Sequence, residues 1–422
     1  MSGGSIRRAA IIAVGSELLT PLRTDTNSLL ITTQLNALGI EVGFKCVVGD
    51  DRVELAEMVR HAMARVDLLV LCGGLGPTDD DVTREVVAAT LGRALHERVD
   101  ISDAIRQRFA SRGLEMPAIN RRQAMVPEGA EVLTNSMGTA PGLWMDADGK
   151  SVLLLPGPPR ELGPMLTRVA EEQLKARAGG EALSRRTIRI TGLSESHAEE
   201  AVQPLYRDWA REHVPVSATI LAALGQVELH LSARAGDRRS VEHVLDRATE
   251  RVCAVLGRDV YSTDGRTLEE VVGALLAARG WWISVAESCT GGLITCRLTD
   301  VPGSSRYLDR GVVSYSNDAK TQLLDVPPAL IAGHGAVSEE VALSMAAGAR
   351  ARSGSDVGVG VTGIAGPQGG SPGKPVGTVV VAVVTPTASR VRTLRLLGER
   401  ALVKFQASQA ALDLVRRMLE GD

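Results

Sequence analysis

The sequence predicts an α/β protein: two α/β domains with mostly parallel sheets, joined by a small α+β module. Three observations carry that prediction. Short apolar runs (RAAIIAV, DLLVLC, VGVGVTG, GTVVVAVV) alternate with stretches of helical apolar spacing, the pattern of βαβ units. Glycine supplies 44 of 422 residues while aromatics make up 3%, a balance that suits tight strand-to-helix turns. Hydrophobic residues make up 44% of the chain, and at ~100–200 residues per domain the length predicts two to four domains.

The first domain, residues 1–170, opens with a buried strand at 6–14 and a turn at Gly15-Ser16-Glu17. Apolar spacing from Thr26 to Leu38 is helical and Gly39 stands where a helix C-cap belongs. GIEVGFKCVVGD reads as a second strand, Arg52–Val66 as an amphipathic helix, DLLVLCGG as a third strand, and VLLL at 152–155 as another, running into PGPPREL. Residues 171–186 are polar and helical with a Gly-Gly break, which marks a boundary. Short strands mixed with two helices over 187–255 make an α+β module assigned to 171–258. The last domain, 259–422, has a helix (LEEVVGALLAARG), a strand (WWISVAE), a strand at 311–315, a helix at 338–351, two buried strands and a helix over about 399–419.

Charge and cysteine content exclude several classes. A net charge of -3 gives no basic footprint for nucleic acid. Five dispersed cysteines, with no CxxC or Cys/His zinc spacing, indicate a reducing compartment. The first apolar run meets Ser16 and Glu17 after about seven residues, too short for a secretory leader. No run approaches the ~20 apolar residues of a membrane span, so the expectation is a cytoplasmic protein.

Three segments of the last domain could carry chemistry. AESCTGG (Ala286–Gly292) links a strand to a helix; its backbone N–H groups and the Ser288 and Thr290 hydroxyls suit a phosphate cradle, or simply a helix cap. Cys289 near a helix N-terminus could be a nucleophile, although only His334 lies nearby in sequence. In Val301–Lys320 a turn presents Ser304 and Ser305, a strand runs to Tyr315, and Asn317 is placed as an N-cap with Lys320 in the first helical turn. A Ser–Lys dyad is one reading, ordinary turn and cap chemistry the other; the dyad needs a neutral lysine, hence burial. Val357–Val379 contains Gly358, Gly360 and Gly363 in G-x-G-x-x-G spacing, but a glycine loop follows instead of a helix, so it is not a dinucleotide fingerprint.

Together AESCTGG, PGSS…RGVVSYSNDAK, GAVSEEVALSMAAGAR and VTGIAGPQGG…KPVGTV resemble the C-terminal domain of the CinA family, the nicotinamide mononucleotide (NMN) amidohydrolases, over about 264–420. The resemblance implies Ser305 as nucleophile and Lys320 as its base, with Tyr315 and Thr362 lining the site. It implies substrate contacts at Ser288, Cys289, Thr290, Gly291, Gly292, Asn317, Gly363 and Arg400, and no cofactor for the amidase. The last helix (ERALVKFQASQAAL) departs from the arginine spacing common in the family, which weakens Arg400 as the phosphate ligand.

In the first domain GSELL, GGLGPTDDDVT, NSMGTAPG and PGPPREL resemble the molybdopterin-binding fold, and with the rest of the chain the full-length CinA family. Gly73, Gly74, Gly76 and Thr78 form a phosphate loop. Three consecutive acids beside it (Asp79, Asp80, Asp81) repel one another, which a divalent ion would relieve. The resemblance implies metal-dependent ADP-ribose pyrophosphatase activity with Asp80, Asp81 and Glu17 as metal and acid residues, and a homodimer. It makes the middle module KH-like; the turn there reads GLSE instead of GXXG, which argues against nucleic-acid contact. Two other readings remain at this point: a molybdopterin-binding protein, and a scaffold linked to competence or DNA repair.

Overall fold

The computed structural model describes residues 4–223 and 225–421; the outer domain limits, 1 and 422, lie outside them. The chain divides into two compact units, Met1–Ser184 with Ala233–His243, and Arg185–Ser232 with Val244–Asp422. Among the described residues no helix is long and apolar enough to cross a membrane.

The first unit is built on a six-stranded sheet. Its strands are β1 (Arg8–Val14), β2 (Glu41–Val48), β3 (Leu68–Cys72), β4 (Glu131–Leu133), β5 (Gly142–Ala147) and β6 (Lys150–Leu155), in the order β2-β1-β3-β6-β5-β4. Four strands are parallel and β5 and β4 add antiparallel at one side. The central strand β1 is buried on both faces: Ala10, Ile12 and Val14 enter one core, Ala9, Ile11 and Ala13 the other. Helices α1 (Asn27–Ala37), α2 (Arg52–Met63), α3 (Thr83–Thr90), α4 (Val99–Ala110) and α5 (Pro159–Val169) complete the unit. The β5–β6 hairpin was not expected from sequence. Its two-residue loop, Asp148-Gly149, has positive φ at both residues (52 and 75), the conformation that Asp-Gly favours in a hairpin turn.

The polar segment after α5 does not stay helical to 186. The helix ends at Arg177 and Gly180 turns with φ 69. Strand β7 (Ala182–Ile190) begins instead, because ALSRRTIRI supplies the half-buried residues of a strand with one covered face. It joins β8 (Val216–Ala223), β9 (Gln226–Ala235) and β10 (Val260–Ser262) in the order β8-β9-β7-β10, with α6 (Glu195–Trp209) and α7 (Arg238–Leu256) as the module's helices.

The C-terminal domain holds a five-stranded sheet: β11 (Ile283–Glu287), β12 (Leu308–Val313), β13 (Val357–Gly363), β14 (Thr378–Val384) and β15 (Ser389–Arg395), in the order β12-β11-β13-β14-β15. The helices are α8 (Leu268–Arg279), α9 (Leu293–Thr299), α10 (Asn317–Leu324), α11 (Pro328–His334), α12 (Glu339–Ser353) and α13 (Arg400–Leu419). The three crossover strands β12, β11 and β13 are parallel, whereas β14 and β15 pair antiparallel. The expectation of mostly parallel strands therefore holds for only part of this sheet: four residues separate β14 from β15, too few for a crossover.

Gly358 and Gly360 owe their spacing to packing. A Cβ on Gly358 would strike the Ala346 carbonyl oxygen, and one on Gly360 that of Ala342. The two glycines let α12 lie against β13 with backbone nearly touching backbone. Gly360→Ala is expected to cost about 2 kcal/mol or more of stability by overpacking, read as a lower urea midpoint for the C-terminal transition.

Candidate active site

Parallel register decides which residues of the C-terminal domain can meet. Ile283 pairs with Leu308 and Glu287 with Val313, so the C-terminal ends of β11 and β12 lie side by side. The residues that follow, Ser288 and Ser314, therefore share one edge of the sheet. Ser305 precedes β12, on the 3-10 turn Ser304–Arg306, at the opposite edge and exposed to solvent. Six residues of strand, roughly 20 Å, separate it from the Lys320 end. Ser305 therefore does not meet Lys320, and the expected Ser305–Lys320 pair is not formed.

The serine that meets Lys320 is Ser288. Lys320 is 1% exposed, and its Nζ lies 3.1 Å from Ser288 Oγ, 2.9 Å from the Ser314 carbonyl and 3.2 Å from the Tyr315 carbonyl. Burial pushes the lysine below its ordinary pKa of 10.5. A neutral amine has two N–H bonds and one lone pair. With the N–H bonds on the two carbonyls, the lone pair faces the Ser288 hydroxyl and can take its proton. Lys320 is delivered by α10, which starts one residue earlier than the expected cap: Ser316, in extended conformation, accepts the Ala319 N–H at 3.0 Å, and Asn317 is the first helical residue. Asn317 lines a groove with Thr321, Pro328 and Ile331 between α10 and α11.

The AESCTGG turn is not the open phosphate cradle its glycines suggest. Glu287, fully buried, accepts the N–H groups of Gly292 (3.0 Å), Ile294 (3.1 Å) and Thr295 (2.9 Å) and the Thr295 hydroxyl (2.7 Å). Ser288 N–H donates to the Val361 carbonyl and Gly291 N–H to that of Ser288. Among the described residues the Cys289 and Thr290 amides of this turn meet no oxygen acceptor, and both face the Cys289 sulfur. Thr290 Oγ1 is buried without a partner as well. Cys289 is 5% exposed, and burial drives its thiol up to about 12, the reverse of the lowered value a nucleophile needs.

Cations close the other side. Arg400, at the start of α13, donates to the Gly366 carbonyl (2.8 Å) and the Tyr315 hydroxyl (3.2 Å). Lys404, one turn on, approaches Gly291, with Nζ 3.6 Å from where a Cβ would stand. Neither has a carboxylate partner among the described residues. Tyr315 is 62% exposed. Thr362 is buried with its hydroxyl on the Ala336 carbonyl (2.8 Å), and Gly363 ends β13 where a Cβ would crowd Thr378 and Val379. Sequence reading missed Glu287 and Lys404. The signal for Glu287 was a carboxylate closing a strand whose only other polar residue is Ser284; for Lys404 it was the i, i+4 step from Arg400.

In the first unit a cavity of about 600 Å³ is lined by Gly73, Gly74, Gly76, Asn27 and the carboxylates of Glu17, Asp25, Asp50, Asp80, Asp81 and Glu161. The acids precede α3 instead of opening it. Asp81 accepts the Thr78 N–H (2.9 Å) and hydroxyl (2.5 Å), while Asp79 faces solvent beside Arg122 (2.9 Å). Glu17, Asp80 and Asp81 share this cavity, yet among the described residues no three His, Cys, Asp or Glu side chains converge closely enough to hold an ion by themselves.

Lys320→Met should raise the melting temperature of the C-terminal domain at pH 7 while abolishing any activity that uses the amine. The folded state holds the lysine proton less tightly than the unfolded chain, so the site gains stability as pH rises from the lowered pKa toward 10.5. At pH values below 10.5 the lowered pKa is a net cost that methionine removes. Calorimetry showing a large loss of stability would contradict this account of the site.

Three domain families match the chain: the CinA C-terminal domain over residues 265–419, the probable molybdopterin binding domain over 10–176, and the damage-inducible protein CinA KH domain over 185–262. A CinA-like protein of Koribacter versatilis is 46% identical over 97% of this chain and 99% of its own, and one of Solibacter usitatus is 43% identical over 98% of each. Among solved structures, the competence/damage inducible protein CihA of Agrobacterium tumefaciens is 40% identical, with a TM-score of 0.36, covering 36% of this chain and 93% of that one. With relatives this similar along almost the whole chain, the protein belongs to the CinA family.

Proposed function

We propose that the C-terminal domain is an amidohydrolase acting on NMN, with Ser288 as nucleophile and Lys320 as its base. The observation that carries this reading is the 3.1 Å approach of Ser288 Oγ to the nitrogen of a buried lysine. Ser288 Oγ attacks the carboxamide carbon and its proton passes to Lys320 Nζ. The amides of Cys289 and Thr290 receive the charge that develops on the carbonyl oxygen. Lys320 returns the proton to the leaving nitrogen, ammonia departs, and an acyl-serine remains. Water, deprotonated by the same lysine, opens the ester to give nicotinic acid mononucleotide and free Ser288. Arg400 and Lys404 offer the cations a 5′-phosphate requires, and exposed Tyr315 offers an aromatic face to the pyridine ring.

The test is ammonia release from NMN by the full chain. Ser288→Ala should lower kcat at least about 1,000-fold, while Ser305→Ala stays close to wild type. The opposite pattern would return the nucleophile to Ser305. The rate should climb with pH through an apparent pKa below 10.5, because Lys320 works only when neutral. A flat profile across that range would remove the lysine from the chemistry.

The carboxylate-lined cavity of the first unit favours a second reading there: a pyrophosphatase that hydrolyses the phosphoanhydride of a nucleotide such as ADP-ribose. Asp80 and Glu17 would hold a divalent ion whose remaining ligands come from substrate phosphates and water, the incomplete shell that Mg²⁺ prefers. Such an ion would neutralise the phosphate charge during attack. Asp80→Asn should abolish metal-stimulated ADP-ribose hydrolysis and leave ammonia release from NMN unchanged; loss of both activities would refute the separation of the two sites.

A further inference from the structure

The geometry points to Glu287 as the positioning residue of the amidase site: its buried carboxylate folds the Ser288 turn so that the hydroxyl meets Lys320 and two amides stay free for the reacting oxygen. This inference rests on Ser288 being the nucleophile. Three facts support it. First, Glu287 is fully buried, and among the described residues its carboxylate bonds with the turn and helix that follow it: three N–H groups and one hydroxyl, between 2.7 and 3.1 Å. Its two oxygens are both occupied, so it cannot act as an acid or base on a substrate. Second, those bonds span Gly292 to Thr295 and close a loop of eight residues onto the end of β11, with Ser288 next to the carboxylate. Third, the cap divides the donors. Oε2 takes Gly292 and Ile294, Oε1 takes Thr295, and the N–H groups of Cys289 and Thr290 are left beside Ser288.

An external anion bound in this turn would have to displace an internal one. Glu287 therefore also sets what the turn can accept: a developing oxyanion at Cys289 and Thr290, with the phosphate left to side chains. A carboxylate that acts only through geometry predicts a loss in the chemical step, without a shift in the ionisation of Lys320 and without a loss of nucleotide binding.

The experiment uses the full chain and two readouts. One is NMN turnover. The other is the rate at which a fluorophosphonate labels Ser288, a reaction in which the Oγ–P bond forms, the P–F bond breaks, fluoride leaves and the serine proton passes to Lys320. Glu287→Gln keeps the size but turns one acceptor into a donor facing N–H groups. It should slow labelling and lower kcat by about 100-fold, with KM within about twofold and the pH midpoint of the rate unmoved. A merely structural role would instead reduce the fraction of protein that labels, at an unchanged rate for the part that does. Thr295→Val, which removes a single donor, covers the case where Glu287→Gln does not fold; it should slow labelling about tenfold, and Thr295→Ser should restore it. Wild-type labelling rates in folded Glu287→Gln, or no difference between the valine and serine variants, would overturn the inference. If wild-type Ser288 labels and NMN is untouched, the substrate reading fails while the role of Glu287 stands. If wild-type Ser288 does not label, the nucleophile assignment falls and this inference with it.

Discussion

The C-terminal site depends on burying a lysine that carries no counter-ion. Lys320 is 1% exposed, and its nitrogen meets only a hydroxyl and two backbone carbonyls. An ammonium there would lack a carboxylate in a medium of low polarity, which favours the neutral amine. The sheet makes the burial possible. β11 and β12 end together, so Ser288, Ser314 and Tyr315 come off one edge, and α10 turns Lys320 back onto that edge from the residues just beyond. Two strands in register thus convert an expensive cation into a usable base.

The surroundings hold that arrangement from two sides. Glu287 ties the start of α9 to β11, and Arg297 at its far end ties α9 to α13 through Ser408 (2.7 Å) and Gln409 (2.7 Å), with Glu269 (2.7 Å) as counter-ion. The same α13 carries Arg400 and Lys404 at its start. Gln409 also donates to Gln226 of the middle module, whose side chain accepts the Tyr261 hydroxyl. The helix that carries Arg400 and Lys404 and the turn that carries Ser288 are therefore parts of one hydrogen-bonded frame. Gln226 thereby ties the α+β module to that frame.

Much of this was legible in the sequence. Apolar runs located β1, β3, β11, β13 and β14, and a phase change in apolar spacing located α12 and α13, because burial writes its period directly into composition. The turn AESCTGG and the lysine were recognisable as chemistry. Their pairing was not. Ser305 lies 15 residues from Lys320 and Ser288 lies 32, so proximity along the chain favours the wrong serine, and only the parallel register shows that Ser305 sits at the far edge. The glycines misled for a related reason. Gly358 and Gly360 mimic a nucleotide loop in one dimension, yet they mark where α12 presses on β13. The hairpin at Asp148-Gly149 had a turn signature, but its strand GLWMDA is short and mixed in polarity.

An account of amide donors explains why the two ends of the substrate need different partners. Ser288 N–H goes to Val361, Gly291 to Ser288, Leu293 to Thr290, and Gly292, Ile294 and Thr295 to Glu287. Two N–H groups remain, beside the nucleophile. That number suits one oxygen that gains charge for an instant, and it falls short of the several bonds a resident phosphate demands. A dianion must find its charge elsewhere, and Arg400 and Lys404 on α13 are cations without acidic partners among the described residues. Because Glu287 fills the turn from within, the amides of Gly292, Ile294 and Thr295 are spent on holding its shape.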